Sequence, residues 1–186
     1  MATKISVIIP TYTPKDYLWE CLGSLENQTL SKDEFEVILV LNGEREPYES
    51  LIRKKLPEYS FTSTLLYSTP NGVSRARNLG MEKAQGCYIC FIDDDDWVSD
   101  NYLEELLSKA CDNGIVEANV KAVNKETGEE SEQHFLSRAF RITSGIIAKF
   151  SSSHFAVFSS PHAFCITLLS INTEAFLHGV KHLYLL

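Results

Sequence analysis

Short apolar runs rich in β-branched residues alternate with segments of helical periodicity, and this alternation constrains the fold most strongly. Three such runs are Ile5–Ile9, Phe35–Leu41 and Tyr88–Ile92. Largely apolar runs are typical of strands that are covered on both faces of a sheet. Strands that alternate with helices at this spacing form right-handed βαβ units. The sequence therefore predicts an α/β fold with a mostly parallel sheet flanked by helices.

The segments between these runs carry helix signals. Apolar residues from Leu18 to Leu25 repeat at helical spacing. Gly86 is a candidate C-cap, and Ser99 or Asp100 is a candidate N-cap. The predicted helices are Lys15–Gln28, Pro47–Leu56, Asn71–Gln85 and a last one from Ser99 or Asp100 to Cys111, and Thr64–Tyr67 is a weaker predicted strand.

The pattern changes after Asn113. Ile115–Val123 and Glu132–Phe135 flank the turn-rich segment Asn124–Glu129, which predicts a β-hairpin. Beyond Ser144 the chain is rich in Ser, Phe and His and has little periodicity. A chain of 186 residues suits one domain. We expect residues 1–113 to form the main α/β region and residues 114–186 to form a small, less regular part of the same domain.

Charge and composition exclude several classes of function. The formal net charge of −8 leaves no broad basic field for phosphate neutralisation, so we expect no nucleic-acid partner. The five cysteines lack the spacing of a disulfide framework and indicate a reducing compartment. No apolar run reaches the length of a membrane span, and the N-terminus lacks the apolar region of a signal peptide. We therefore expect a cytoplasmic protein, and association with the inner face of the membrane stays open.

Four consecutive aspartates, Asp93–Asp96, follow the predicted strand Tyr88–Ile92. Ligands of parallel sheets bind beyond the carboxyl ends of the strands, where the loops Pro10–Pro14 and Asn42–Arg45 are also expected. Clustered carboxylates raise one another's pKa values or recruit a cation. If the chain stays extended, alternate side chains share one side and suit Mg²⁺ or Mn²⁺, which prefer oxygen ligands. An acidic turn that only caps the next helix is the alternative.

Three motifs together carry a family resemblance. They are Ser6-Val-Ile-Ile-Pro-Thr-Tyr12, Gly72-Val-Ser-Arg-Ala-Arg-Asn-Leu-Gly80 and Phe91-Ile-Asp-Asp-Asp-Asp-Trp-Val98. In this order and spacing, the chain resembles the family 2 glycosyltransferases. The resemblance runs from Lys4 to Leu107, and more loosely to Ser144. It implies the GT-A (Rossmann-like) fold, with nucleotide-sugar binding in residues 1–113 and an acceptor side in residues 114–186.

The resemblance also implies a reaction. A sugar would pass from a nucleoside diphosphate donor, expected to be a UDP-sugar, to an acceptor hydroxyl with inversion at the anomeric carbon. The implied cofactor is Mg²⁺ or Mn²⁺. The implied acceptor is a saccharide or a lipid-linked saccharide, in the setting of polysaccharide biosynthesis.

Donor-binding roles follow residue by residue from the resemblance. Pro10, Thr11 and Tyr12 match the loop that holds the nucleotide base, with Tyr12 able to stack on it; a packed loop aromatic is the alternative for Tyr12. Asn42 stands where the family usually has an aspartate that pairs with uracil. Its amide can still donate and accept hydrogen bonds, so base binding is kept while the preference for uracil is weakened.

The acidic motif supplies the remaining expected contacts. Asp93 matches the first acid of the family's Asp-x-Asp motif and would contact the ribose or the sugar, and Asp95 matches the second, the metal ligand. Asp94 is expected to touch the sugar nucleotide. Arg77 matches an arginine near the nucleotide, with a surface ion pair as the alternative. Trp97 either walls the donor pocket or packs in the core.

The catalytic base is not identifiable. Phe176–His182 resembles the lead-in to the family's acidic stretch, but Leu183–Leu186 stands where the acids would be. Glu174 is a weak candidate, so we expect a truncated or altered acceptor region. Two other functions stay open: a degenerate, non-catalytic nucleotide-sugar-binding module, which the missing base favours, and a nucleotidyltransferase, against which the glycine-free loop Pro10–Pro14 counts.

Overall fold

The computed structural model describes residues 2–110, 114–117, 120–123, 127, 129–133, 140–141 and 167–170. Seven strands within these ranges form one sheet, and two more form a separate hairpin. In chain order the strands are β1 (Ile5–Thr11), β2 (Phe35–Leu41), β3 (Thr62–Tyr67), β4 (Tyr88–Phe91), β5 (Gly114–Glu117), β6 (Val120–Val123), β7 (Glu130–Gln133), β8 (Phe140–Arg141) and β9 (Thr167–Ser170).

The parallel part of the sheet confirms the predicted α/β architecture. Strand β1 lies between β2 and β4 and pairs in parallel with both, and β2 pairs in parallel with β3. Every residue of β1 and β2 is buried, as expected for strands covered on both faces. The described strands follow the order β3-β2-β1-β4-β9-β5-β8 across the sheet, with β9 antiparallel to β4 and β5.

Alternate residues of the central strands face two apolar clusters. On one side, Val7 and Ile9 pack in a cluster that includes the buried leucines of the first and last helices. On the other, Ile8 packs with Ala76 and Met81 of the third helix. This alternation is the period of two that every strand imposes on its side chains. Helices therefore cover both faces, and the loops at the strand ends are left to form a site.

Strand β1 is longer than predicted, because it continues through Pro10 to Thr11. We expected Pro10 to end the strand, and that boundary was wrong. The pairing with β4 has already ended at Ile8 and Phe91, so on that side the missing N–H of a proline costs no ladder bond. Pairing with β2 continues to Thr11 and Leu41. The extra residues carry β1 to the edge where its loop begins.

The helices are shorter than predicted, and two predicted caps were wrong. Helix α3 (Val73–Lys83) ends before Ala84, so Gly86 is not its C-cap. A Cβ on Gly86 would lie 2.7 Å from backbone atoms of Ile5 and Ser6, so the glycine is needed for close packing. The N-cap of α4 (Tyr102–Ser108) is Asn101, where Ser99 or Asp100 was predicted. The observed bounds are α1 Asp16–Glu26, α2 Tyr48–Lys55 followed by the 3₁₀ turn Leu56–Glu58, α3 Val73–Lys83 and α4 Tyr102–Ser108.

The predicted hairpin is present with different bounds. Strands β6 and β7 pair in antiparallel fashion around the predicted turn. The segment Ile115–Val123, predicted as one arm, contains two strands, because β5 instead pairs with β9 through Ile115 and Leu169. A partner so distant in the chain leaves no local pattern. None of the helices in the described ranges is long and apolar enough to cross a membrane.

Candidate active site

A cleft of about 470 Å³ lies at the carboxyl ends of the parallel strands. The loops that follow β1, β2, β3 and β4 all contribute to it, as expected for an open parallel sheet. Its walls combine an exposed aromatic ring, amide side chains and carboxylates. The lining residues are Pro10, Tyr12, Asn42, Asn71, Gly72, Val73, Asp93, Asp94 and Asp95.

The four aspartates form a turn and do not continue the strand. Strand β4 ends at Phe91, and the backbone N–H of Asp96 donates to the carbonyl of Asp93 at 3.2 Å. The expectation that Asp93 and Asp95 share one side of an extended chain was therefore wrong. Pairing with β1 ends at Phe91, with one further backbone hydrogen bond from the N–H of Ile92 to the carbonyl of Ile8 at 3.2 Å, and the aspartates begin beyond that bond.

Each acid of the turn has a different environment. Asp93 accepts a hydrogen bond from Nη2 of Arg77 at 2.6 Å, and both side chains are largely buried. Asp94 accepts one from the hydroxyl of Thr11 at 2.5 Å. Asp95 is exposed, whereas the other three acids are partly buried. The turn thus has two carboxylates held by partners beneath the cleft and one that faces solvent.

Burial makes ionisation of this turn costly. Desolvation, followed by repulsion from neighbouring carboxylates, raises the pKa of Asp96 to about 7. Desolvation also raises the pKa of Asp94 to about 6, although the Thr11 hydroxyl opposes the shift. Burial raises the pKa of Asp93 even against the Arg77 guanidinium. A cation bound here would relieve the repulsion between these groups.

The carboxylates fit a divalent cation that shares its coordination with a ligand. Within the described ranges, no group of three or more His, Cys, Asp or Glu side chains converges on one point. A closed metal cage is therefore absent from that part of the chain. Mg²⁺ is commonly held by one or two carboxylates together with substrate phosphates, and an exposed Asp95 in the cleft wall suits that arrangement.

Close packing holds the aromatic wall of the cleft in place. Tyr12 is 54% exposed and lines the cleft, so the packed-loop alternative for its ring was wrong. A Cβ on Gly43 would lie 2.0 Å from the carbonyl oxygen of Tyr12, so only glycine allows the two loops to approach this closely. Gly72 has φ +147°, a conformation that favours glycine, and it precedes α3.

Asn42 joins three loops through its side chain. Its Nδ2 donates to the carbonyl of Thr11 at 3.0 Å, and its Oδ1 accepts from the N–H of Gly72 at 3.4 Å. The side chain is buried and still contributes to the cleft wall. Asn42 therefore ties the loop after β1 to the start of α3.

A family comparison decides the identification. The sequence model of the family described as Glycosyl transferase family 2 matches residues 6–164. The chain belongs to glycosyl transferase family 2. This confirms the resemblance carried by the three motifs.

Named relatives of this family 2 chain include two glycosyltransferases. Glycosyltransferase GlyA of Streptococcus pneumoniae is 33% identical over 132 residues, which is 71% of this chain and 18% of that protein. The poly(ribitol-phosphate) beta-N-acetylglucosaminyltransferase TarS of Staphylococcus aureus is 30% identical over 102 residues, 55% of this chain and 18% of TarS. The chain thus spans about a fifth of the length of either protein.

Solved structures with a similar fold include TarS residues 1–349 in complex with UDP-GlcNAc. It has a TM-score of 0.53 and 26% identity, and the match covers 60% of this chain and 33% of that one. The mannosyltransferase PcManGT from Pyrobaculum calidifontis, in complex with GDP-Man and Mn²⁺, has a TM-score of 0.58 at 24% identity over 66% of this chain and 36% of that one. These likenesses confirm the GT-A fold. The comparisons give no support to a nucleotidyltransferase or to a degenerate binding module.

Most of the predicted family 2 site residues lie together, and two lie behind the surface. Thr11 is 1% exposed and bonds to Asp94. Arg77 forms a largely buried ion pair with Asp93, so the surface ion pair considered for this arginine was wrong. Trp97 is 53% exposed and is not part of the cleft lining, so both predictions for it, packing in the core and walling the donor pocket, were wrong. The predicted residues in the cleft wall are Pro10, Tyr12, Asn42, Asp93, Asp94 and Asp95.

Sequence reasoning missed the segment Asn71–Val73 as part of the cleft. The Asn-Gly pair follows the third parallel strand, so the rule that placed the other loops at this edge also applied to it. The Asn-Gly pair was predicted only as the start of a helix, and its position in the cleft lining was not predicted. The candidate base Glu174 and the segment Phe176–Leu186 lie outside the described residues.

Proposed function

We propose that the cleft binds a UDP-sugar, and that the chain is the donor-binding part of an inverting glycosyltransferase assisted by Mg²⁺ or Mn²⁺. The observation that carries this proposal is the pairing of two walls in one cleft. An exposed Tyr12 ring lies in the loop after β1, and Asp93–Asp95 lie in the loop after β4. A nucleoside diphosphate needs both an aromatic surface and compensation of its negative charge.

The TarS complexes support UDP as the nucleotide. Structures of TarS 1–349 have been determined with UDP and with UDP-GlcNAc, and both match this chain at 26% identity. We expect a weaker preference for uracil, because both the nitrogen and the oxygen of the Asn42 amide already form hydrogen bonds with the protein backbone. We propose UDP as the first donor to test.

The proposed roles follow the position of each side chain. Tyr12 stacks on the base, with Pro10 and Asn42 shaping the same pocket. Asp93, held by Arg77, contacts the ribose or the sugar. Asp94 touches the sugar nucleotide from the same wall.

Asp95 is the proposed ligand of the cation because it is the exposed acid of the turn. When bound, Mg²⁺ or Mn²⁺ supplies Lewis-acid compensation for the charge on the departing diphosphate. The start of α3, with no acidic residue in its first turn, lies at the cleft and favours the same negative charge. Inversion by one displacement needs a general base on the acceptor side and no covalent enzyme intermediate.

The acceptor and the cellular site extend this proposal. We propose a saccharide or lipid-linked saccharide acceptor, bound by the acceptor side in residues 114–186. A cytoplasmic location stays a prediction from the cysteines and the N-terminal sequence, with contact at the inner face of a membrane left open. A role in polysaccharide biosynthesis stays a prediction of the family resemblance. Binding of UDP can be tested first, because it requires no acceptor.

Isothermal titration of UDP with and without Mn²⁺ tests the donor site. We expect UDP binding that depends on Mn²⁺ in the wild type and is lost in Asp95→Ala. Asp100→Ala removes the same charge from an exposed position outside the cleft lining and should bind as the wild type does. Equal, metal-independent UDP binding in all three proteins would contradict the proposal. A transfer assay with UDP-GlcNAc and other UDP-sugars then tests catalysis.

A further inference from the structure

We infer that Thr11 is a positioning residue whose buried hydroxyl holds the Asp94 carboxylate in the cleft wall and couples the base loop to the acidic turn. This inference rests on the proposed function. It assigns Thr11 a different role from the direct nucleotide contact that the family resemblance implies. The side chain acts through Asp94.

The contact itself has the properties of a fixed support. The Thr11 hydroxyl donates to Oδ2 of Asp94 at 2.5 Å, at the short end of the range for hydroxyl–carboxylate bonds. Thr11 is the last residue of β1 and pairs with Leu41 of β2, so its backbone is held in the sheet. A β-branched side chain is also restricted at χ1. The donor therefore has a defined direction.

The backbone of Thr11 is tied to the second loop of the cleft. Its carbonyl accepts hydrogen bonds from the backbone N–H of Asn42 at 2.8 Å and from Nδ2 of Asn42 at 3.0 Å. Asn42 in turn accepts from the N–H of Gly72. Thr11 thus joins the loop after β1, the loop after β2 and the acidic turn. Tyr12, the next residue, lies in the aromatic wall of the same cleft.

Direct contact of Thr11 with a nucleotide fits the geometry poorly. The residue is 1% exposed and lies behind the lining residues of the cleft. Its hydroxyl proton is already donated to Asp94, and Asp94 does line the cleft. A change at Thr11 should therefore reach a ligand through Asp94 and the turn that contains Asp95.

Four variants of the full chain test this coupling: Thr11→Val, Thr11→Ser, Asp94→Ala and the double variant Thr11→Val/Asp94→Ala. Mn²⁺ affinity is measured without nucleotide by electron paramagnetic resonance, and UDP affinity is measured with saturating Mn²⁺. Thr11→Val removes support from Asp94 and from the turn that carries Asp95, the proposed metal ligand, and loss of such outer support commonly costs about 10–100-fold in metal affinity. We expect a loss of that size for Thr11→Val and recovery of most of it in Thr11→Ser, which keeps the hydroxyl.

The double variant separates positioning from direct contact. If Thr11 acts through Asp94, Thr11→Val adds no further loss once Asp94 is alanine. Additive losses would mean that Thr11 contacts the ligand itself and would overturn the inference. Wild-type affinity in Thr11→Val would also overturn it. If Thr11→Val does not fold, Thr11→Cys, a weaker donor of similar size, takes its place with the same expected direction.

Ser6→Ala is the matched control for stability. Ser6 lies on the same strand, is fully buried, and donates to the Glu36 carboxylate at 2.6 Å. This variant should be less stable and bind Mn²⁺ and UDP as the wild type does. An equal binding loss in Ser6→Ala would reduce the Thr11 effect to general destabilisation. If the wild type binds Mn²⁺ but not UDP, the donor proposal is contradicted, and the Mn²⁺ affinities of the variants still test the role of Thr11. If the wild type binds neither Mn²⁺ nor UDP, both the donor proposal and the Thr11 inference are contradicted.

Discussion

Strand β1 has a buried hydroxyl bonded to a carboxylate near each end, and the two ends use that pair differently. Near the amino end, Ser6 donates to Glu36 at 2.6 Å and accepts from the N–H of Gly86 at 2.9 Å, and the same Glu36 oxygen accepts from the N–H of Gln85 at 2.7 Å. At the carboxyl end, Thr11 donates to Asp94, which lines an open cleft.

The difference shows how one fold separates stability from binding. At the amino end the polar groups form hydrogen bonds with one another inside the protein. This network connects β1, β2 and the turn before β4. At the carboxyl end the partner of the hydroxyl faces a cleft and stands beside further acids. Burial, followed by repulsion between these acids, raises the pKa values of Asp94 and Asp96. Such a costly arrangement is typical of a functional site.

The largest expected effect comes from Gly43→Ala, which disrupts only the carboxyl end. The new Cβ would lie 2.0 Å from the carbonyl oxygen of Tyr12, so the loops that carry Tyr12 and Gly43 must move apart. We expect a loss of about 1–3 kcal/mol in the free energy of unfolding, together with strongly weakened UDP binding. The matched control is Gly23→Ala in α1, where a Cβ would meet nothing within 4 Å. Thermal unfolding measures the stability of each variant, and titration measures its UDP affinity. Wild-type values for Gly43→Ala would contradict the close packing of the loops that carry Tyr12 and Gly43.

Tyr12→Ala should weaken binding with little effect on stability. The ring is 54% exposed, so its removal leaves no cavity in the core. Stacking of a base on an aromatic ring contributes about 1–3 kcal/mol, and we expect a UDP affinity reduced accordingly. Trp97→Ala is the control, because that ring is 53% exposed but is not part of the cleft lining. Equal losses in both variants would argue against a stacking role specific to Tyr12.

Ser6→Ala should show the opposite pattern at the amino end. Removal of the hydroxyl leaves the N–H of Gly86 without its acceptor and takes one donor from Glu36. Leaving a buried group unsatisfied costs about 1–3 kcal/mol, which chemical denaturation measures. UDP affinity of the folded fraction should be unchanged. A binding defect here would break the proposed separation between the two ends of β1.

The smallest effect concerns Glu49, a carboxylate held by charged partners instead of a hydroxyl. Hydrogen bonds from Arg45 and Arg53 lower the pKa of Glu49 to about 2. A lowered folded-state pKa means that the stabilisation is present above the unfolded value near 4.5 and is lost as pH falls towards 2. Glu49→Gln should therefore flatten the dependence of stability on pH between 4.5 and 2. Parallel curves for the two proteins would contradict the ion-pair network.

The sequence predicted the cleft better than it predicted the contacts within it. The edge rule for parallel sheets placed Tyr12, Asn42 and the aspartates together, and the lining of the cleft agrees. The same rule also covers Asn71–Val73, which follows β3 and belongs to the lining but was not predicted as part of the cleft. The orientation of Asp93 and Asp95 was predicted from an extended strand that ends earlier, at Phe91. The residue at which β4 stops pairing could not be predicted from the local sequence pattern, because it depends on where the partner strand β1 lies.

What the sequence alone determined is the α/β architecture, the family and the edge of the sheet that carries the acids. Hydrophobic periodicity and the alternation of strands and helices along the chain are local properties, and they can be recognised without knowledge of any contact. Only the tertiary structure decided which partner each acid has. Thr11 and Asp94 are separated by 83 residues in the chain, and Arg77 and Asp93 by 16. Such pairs form because β1, β4 and α3 pack side by side, and no short-range pattern encodes the direction in which their side chains meet.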